Sequence, residues 1–503
     1  MTKIFPALGA ASQSARERYS RAYPGRLGQI LLLLIVIDLG MTVWNAAAFA
    51  PNQQYDPEMH AGRIATCGVY TSGRYYNPPL YYALACPAMI VSLAGQVDIV
   101  NDIARPLMSG ASMDEVIDIV RPKLHRVTLV DKAAGPFLQA VNVGMYAAVI
   151  GIWIVYLFPR YLAPGAAAFI AASLLLALPG FQKITAMTNP DNMLVFGTTL
   201  GFFAFTRLTD ATRIGWRAVV LFGLLIGAIG LTRPFAAIPM LFLGLAFGAL
   251  LWRRSLGGGG AALKTAALKF VAFGVVAALM AGSWWGYRQV MTGDAFTLYA
   301  EDSEYNRIHQ ERRKEFDFGE YYSTFHYAEL LKVPNRHIGG YDPEDPDWRK
   351  SLNNSFATLL FSDYWADHWL YFSGPVPREI DDNVLPKRII LIYALPLSLA
   401  LLALMAYGAA RQIGTARTTP YAAEIWSLAA TLIFGFALYV LWQQGQSLEP
   451  GKNSQVKFIY TANLAPIAAL FIAAGTPKKA EPLLIAALGL LFVLALPMSF
   501  YRW

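Results

Sequence analysis

The sequence predicts an all-α polytopic membrane protein with about eleven transmembrane helices, within a range of roughly ten to thirteen. Three observations lead there. Hydrophobic residues make up 56% of the chain and charged residues only 15%, against roughly a quarter charged in soluble domains. Mean hydropathy is +0.40. Apolar runs about 20 residues long recur, the length at which a helix crosses the hydrocarbon core. The short alternating segments of a transmembrane β-barrel are not part of the pattern.

Taken in order, the first apolar run extends from about Leu27 to Ala47, after a basic stretch with Arg16, Arg18, Arg21 and Arg26. It lacks a small-residue cleavage site and reads as a signal anchor with the N-terminus inside. A long polar stretch follows. Later spans begin near Phe137, Ala166, Met193, Ala218, Phe235, Phe270, Ile389, Ile425, Phe458 and Leu483. The run from Ala218 to Trp252 is too long for one crossing, so Thr232-Arg233-Pro234 makes it a helical hairpin.

The net charge of +8 reports orientation in such a chain rather than nucleic-acid binding. Arg160, then Arg207, Arg213 and Arg217, then Arg253, Arg254, Lys264 and Lys269 mark successive loops of one side. Arg411 with Arg417, and Lys478 with Lys479, continue the series. Assigning them to the cytoplasm puts residues 48–136 outside as a first outer loop and the C-terminus outside as well. Leu80–Leu93, short, tyrosine-rich at its start and interrupted by Pro87, is then a juxtamembrane helix rather than a crossing. The expected organisation is a cytoplasmic N-terminus (1–26), an N-terminal transmembrane module (27–288), a large outer-face segment (289–386) and C-terminal helices (387–503).

The outer face collects the polar residues. In Tyr55-Asp-Pro-Glu-Met-His60, Pro57 fits the first turn of a helix. Asp56 then lies near its start at the membrane surface, with Glu58 and His60 close by. A carboxylate there can serve as general base, and an Asp that only caps the helix fits equally well. Asn189, Asp191 and Asn192 form a polar knot between two apolar helices. Asn-Pro-Asp is a good helix start, but a carboxylate in or near a membrane is costly and tilts the reading towards function. Outer-face cations run against the charge bias. For Arg233 and Lys457 an anionic ligand such as a phosphate supplies the reason; for Lys183 snorkelling to lipid headgroups suffices. Ser362-Asp-Tyr-Trp-Ala-Asp-His-Trp369 adds Asp363, Asp367 and His368 among aromatics, a composition that lines sugar sites and also suits a membrane interface.

Cys67 and Cys86 are the only cysteines, too few for a metal site. On an oxidising face they can pair, for about 3 kcal/mol; two unrelated buried thiols fit as well. Gly257–Gly260 is not followed by Lys-Ser/Thr, so it is no phosphate loop, and no dinucleotide motif or internal repeat is evident.

Asp56-x-x-x-His60 directly after span one, Asn77-Pro-Pro-Leu-Tyr-Tyr82, Pro190-Asp191, Leu231-Thr-Arg-Pro234 and Lys457-Phe-Ile-Tyr460 followed by Pro466 together resemble the GT-C superfamily of membrane glycosyltransferases. The similarity is to the protein O-mannosyltransferase and aminoarabinose transferase group, and it runs in order through most of the chain, each motif short. The resemblance implies a GT-C-like arrangement in a bacterial inner membrane, with the active site on the periplasmic side. It implies transfer of a sugar from a polyprenyl-phosphate carrier to a glycolipid, polysaccharide or protein acceptor, with inversion and with Asp56 as base. Arg233 and Lys457 would hold the carrier phosphate. A divalent metal, Mg²⁺ or Mn²⁺, serves some branches and not others. Two departures stand out. Pro57 separates Asp56 from Glu58 where relatives have adjacent acids, and Asn77 replaces a Lys or His, leaving Arg74 as the substitute cation. Two other classes remain: an O-antigen polymerase or ligase, which relies on Arg and His in a large outer loop, and a transporter or flippase of lipid-linked sugars. The latter predicts charges at mid-membrane depth and repeated halves, neither of which the sequence shows clearly.

Overall fold

The computed structural model describes residues 4–50, 64, 78–88, 109–110, 115, 134–292, 318–332, 355–366, 384–416, 419, 421–445 and 458–499. Among them every regular element is helical. In chain order these are α1 (Ile4–Ala22), α2 (Arg26–Ala48), α3 (Leu80–Ala83), α4 (Gly135–Ile152), α5 (Ala166–Leu176), α6 (Pro179–Ala186), α7 (Asp191–Asp210), α8 (Trp216–Gly230), α9 (Ala237–Ser255) and α10 (Gly259–Thr292). They continue with α11 (Phe318–Ser323), α12 (Tyr327–Lys332), α13 (Phe356–Ala366), α14 (Val384–Ala416), α15 (Ala422–Gly445), α16 (Ala465–Gly475) and α17 (Glu481–Ser499).

Seven stretches are long and apolar enough to cross a membrane, and α5 with α6 make an eighth if the bent pair is one span. The protein is therefore a multi-pass membrane protein. Helices lie at or beside every position where a span was expected to begin. However, α8 and the Ala462–Gly475 stretch are shorter than a full crossing, and α7, which carries Asp191, Arg207 and Asp210, falls outside the apolar set.

Local chemistry explains the interruptions. α4 continues through a π turn at Trp153–Leu157 into Phe158–Tyr161; Pro159 has no N–H to donate one turn back, so the helix widens there. α5 and α6 meet at a 48° bend. Leu178 is extended, and Pro179 opens α6, because a residue preceding proline avoids the helical region. The expected hairpin is present: α8 ends at Gly230, Arg233 is extended and a 3₁₀ turn at Pro234–Ala236 leads into α9.

In the bundle, α2 packs on α4, α5 and α6, α8 on α10, α9 on α15, and α14 on α16, with α17 against α5 and α14. The α14–α16 contact is the tightest. A Cβ at Gly408 would collide with the Phe471 carbonyl, and one at Gly475 with the Leu404 carbonyl. Small residues allow this backbone approach.

Contacts sort the loops into two sets. At one end Arg160 binds Glu424 (Nε–Oε2 2.6 Å) and Asp210 (Nη2–Oδ1 2.8 Å), Arg254 donates to the Leu208 and Thr209 carbonyls, Lys269 to Ile214, and Arg411 to Ala474. These cations belong to the series expected on the cytoplasmic side. The other end holds the Asn189–Asp191 and Arg233 turns together with α3, whose Leu80 N–H donates to the Leu231 carbonyl (3.3 Å).

Candidate functional site

Two linked polar clusters build that second end. The first centres on Asp191. Asn189 Oδ1 accepts from the Asp191 N–H (2.9 Å), so the side chain starts α7 as Asn-Pro-Asp predicts. The Asp191 carboxylate, fully buried, then receives two donors from Arg233: Nε at 2.9 Å on Oδ1 and Nη2 at 2.5 Å on Oδ2. Nη2 also reaches Asn189 Oδ1 (3.2 Å). This two-pronged geometry is what a guanidinium offers and an ammonium does not. Burial penalises the Arg233 cation, but the Asp191 carboxylate outweighs it, with Tyr460 and Tyr82 adding to the same effect, and the guanidinium is held above its ordinary range. The Arg233 guanidinium lies 5.8 Å from the Tyr460 ring centre. Phe235, from the same hairpin turn, packs on Tyr460 and Tyr439 at 5.6 and 6.2 Å.

The second cluster centres on Asp363 of α13. Lys183 Nζ donates to its Oδ1 at 2.7 Å, with both side chains fully buried, and the Phe458 backbone N–H donates to Oδ2 at 2.7 Å. Tyr364, the next residue, shares a 2.7 Å hydrogen bond with Thr461 and stacks edge-on against Phe458 at 4.8 Å. Burial, relieved in part by Thr461, pushes the Tyr364 hydroxyl up to about 12, so it stays protonated. Gly180 admits the Phe458 ring against α6, where a Cβ would overlap it. The 3₁₀ turn Phe458–Tyr460 therefore joins the two clusters, Phe458 reaching Asp363 and Tyr460 facing Arg233.

Lys183 corrects the sequence reading. It is not a snorkelling lysine at a headgroup but a wholly buried one on a half-helix whose eight residues are all buried. The Leu178-Pro179 pair was the available signal: it breaks the span and turns the following residues inward. Asp38 corrects it again. This carboxylate sits near the middle of α2 and is 1% exposed, a charge-capable group at mid-membrane depth that the composition of the span concealed.

Of the residues expected to form the site, the structure brings Asn189, Asp191 and Arg233 together, places Asn192 beside them with its amide on the Asn142 carbonyl (3.2 Å), and sets Asp363 on Lys183. Asp56, Glu58, His60, Arg74, Asn77, Asp367, His368, Lys457 and Cys67 lie outside the described residues. Cys86 is disulfide-bonded. Tyr82 and Tyr460 are additions that the motifs contained but their residue types did not single out.

Among the described residues no three His, Cys, Asp or Glu side chains gather where a metal ion could bind. Asp191 and Asp363 are each already matched by a cation, a donor set that does not suit a divalent metal.

No protein-family model matches the chain, and no curated protein matches it. A crystal structure of the oligosaccharyltransferase of Archaeoglobus fulgidus in the apo form is similar at a TM-score of 0.41 and 13% identity, over 94% of this chain and 56% of that one. The chain thus spans little more than half the length of that protein, and a likeness of this degree assigns neither fold family nor activity.

Proposed function

We propose that the chain is an integral membrane glycosyltransferase that moves a sugar from a polyprenyl-phosphate carrier to an acceptor at the outer, periplasmic face. The observation that carries the proposal is convergence. Leu80 bonds to Leu231, Arg233 clasps Asp191 and faces Tyr82 and Tyr460, and Phe458 bonds to Asp363. Segments hundreds of residues apart, carrying the short motifs that resemble GT-C enzymes, meet at one end of the bundle. Lipid and glycan chemistry suits that place, which combines aromatic faces, a guanidinium and adjoining apolar helices.

In this account Asp56 takes the proton of the acceptor hydroxyl as its oxygen attacks the anomeric carbon, and the bond from that carbon to the carrier phosphate breaks with inversion. Glu58 and His60 flank the base. Arg233, oriented by Asp191 and Asn189, holds the phosphate that leaves, with Lys457 and Arg74 as the further cations for it, and Asn77, Asp367 and His368 are the remaining candidate site residues. The Lys183–Asp363 pair holds α6, α13 and the Phe458 turn together.

A second reading, a transporter or flippase of lipid-linked sugars, is favoured by the buried Asp38 and by the broken α5–α6 helix, features that line substrate paths in transporters. Purified protein in proteoliposomes supplied with a panel of polyprenyl-phosphate sugars separates the two. Glycosyl transfer should consume the carrier and label the acceptor. Sugar-lipid crossing the bilayer chemically unchanged, with no acceptor labelled, overturns the enzyme.

A further inference from the structure

A further buried polar cluster lies apart from the Asp191 and Asp363 clusters. On α2, Asp38 is buried near the middle of the span, with Thr42 and Asn45 one and two turns further on. Gln182 of α6 fills the space between them. Its Oε1 accepts from Asn45 Nδ2 (3.2 Å), an amide that also donates to the Ser499 carbonyl (2.7 Å); this fixes the Gln182 orientation and turns Nε2 onto Asp38 Oδ1 at 2.7 Å, while the Thr42 hydroxyl lies between the Asp38 carbonyl (2.8 Å) and Oε1 (3.0 Å). Asp38 Oδ1 is thereby committed as an acceptor.

Asp38 Oδ2 has no hydrogen-bond partner, and neither has the hydroxyl of Tyr146 on α4, although the two groups face each other. Among the described residues no cation pairs with Asp38. From α4 the titratable group facing it is Tyr146. From α6 it is met by uncharged Gln182, whose neighbour Lys183 binds Asp363, and α5 has no ionisable residue. A carboxylate at this depth with no counter-ion costs more than a hydroxyl proton lacking an acceptor.

We propose that Asp38 is a proton-binding site within the membrane: a neutral carboxylic acid at pH 7, its proton on Oδ2 and donated to the Tyr146 hydroxyl oxygen. The amide of Gln182 decides which oxygen holds the proton, because Oδ1 must accept. The under-bonded polar atoms next to the site run towards the end of the bundle that carries Asp191 and Arg233. Tyr146 is one turn from Asn142 on the same buried face of α4. Asn142 Oδ1 and the Tyr81 hydroxyl are a second facing pair without partners, and Tyr81 in turn feels the Asp191 charge. Asp38 therefore heads a line of under-bonded buried polar atoms that ends at the Asp191–Arg233 cluster, where waters could complete the bonding. This inference does not depend on glycosyl transfer.

Infrared difference spectroscopy of the full-length protein in proteoliposomes at neutral pH tests it. The protonated-acid carbonyl band, identified by carbon-13 aspartate labelling, should be present in the wild type and lost in Asp38→Asn. Asn keeps an oxygen for Gln182, so the variant should still fold. Asp38→Glu should move the band rather than delete it, which keeps the test decisive if the Asn variant is unstable. Tyr146→Phe should shift the band to higher frequency by removing the acceptor. A wild type showing only carboxylate bands, or an acid band unchanged in both Asp38 variants, overturns the proposal.

Discussion

At the scale of residues, the two ion pairs at the motif-bearing end differ in what they do. Asp191 and Arg233 make a two-pronged contact at the mouth of the hairpin turn, with the guanidinium 11% exposed. Pairs in direct contact couple by about 0.5–3 kcal/mol in double-mutant cycles, and this geometry belongs in the upper half of that range. Asp191→Asn and Arg233→Gln, singly and combined, should show that coupling in thermal unfolding of the detergent-solubilised protein; additive effects would mean the contact is incidental. Lys183 and Asp363 are both wholly buried. Lys183→Met leaves a carboxylate without its cation and should cost about 3–5 kcal/mol. Adding Asp363→Leu removes that charge but orphans the Phe458 N–H, a loss of about 1–3 kcal/mol. The double variant should therefore melt above the single one, and below the wild type.

At the scale of elements, proline and glycine account for much of the architecture. Pro179 splits one apolar run into α5 and α6, so the second half turns Gln182 and Lys183 into the bundle instead of towards lipid. Pro234 ends the hairpin turn that presents Arg233. Where α14 meets α16, Gly408 and Gly475 have no room for a Cβ. Gly408→Ala forces the two backbones apart and should destabilise by about 1–3 kcal/mol. Gly414 lies in the same helix with nothing near it, so Gly414→Ala should be neutral or stabilising by up to about 1 kcal/mol. Comparable unfolding midpoints for the two variants would contradict this close approach. The sequence revealed these elements unevenly. Apolar runs marked the helices, and Thr232-Arg233-Pro234 and Asn189-Pro190-Asp191 marked a turn and a helix start, because each acts through its own backbone. The partners of Lys183 and Asp38 were not legible, since they come from helices more than a hundred residues away.

At the scale of the whole molecule, the contacts give the bundle a cation-rich end and an aromatic, motif-bearing end, which we propose face the inside and the outside of the cell. Ser323→Cys, at the exposed end of α11, should react with a membrane-impermeant thiol reagent from the outside. Asp210→Cys, exposed at the opposite end, should react only after permeabilisation. The reverse pattern would invert the topology and take the Asp191–Arg233 cluster off the periplasmic face. What made that end readable in advance was the order of short motifs along the chain. What the motifs could not convey was that Arg233 arrives already engaged by Asp191, or that Asp363 is committed to Lys183 and Phe458.

The most direct test of the central claim is single-turnover release of polyprenyl phosphate by the purified protein given a polyprenyl-phosphate sugar and acceptor. The wild type should release carrier phosphate in step with labelling of the acceptor, and Asp56→Asn, with an unchanged unfolding midpoint, should abolish both. Full transfer by the Asp56→Asn variant would contradict the account.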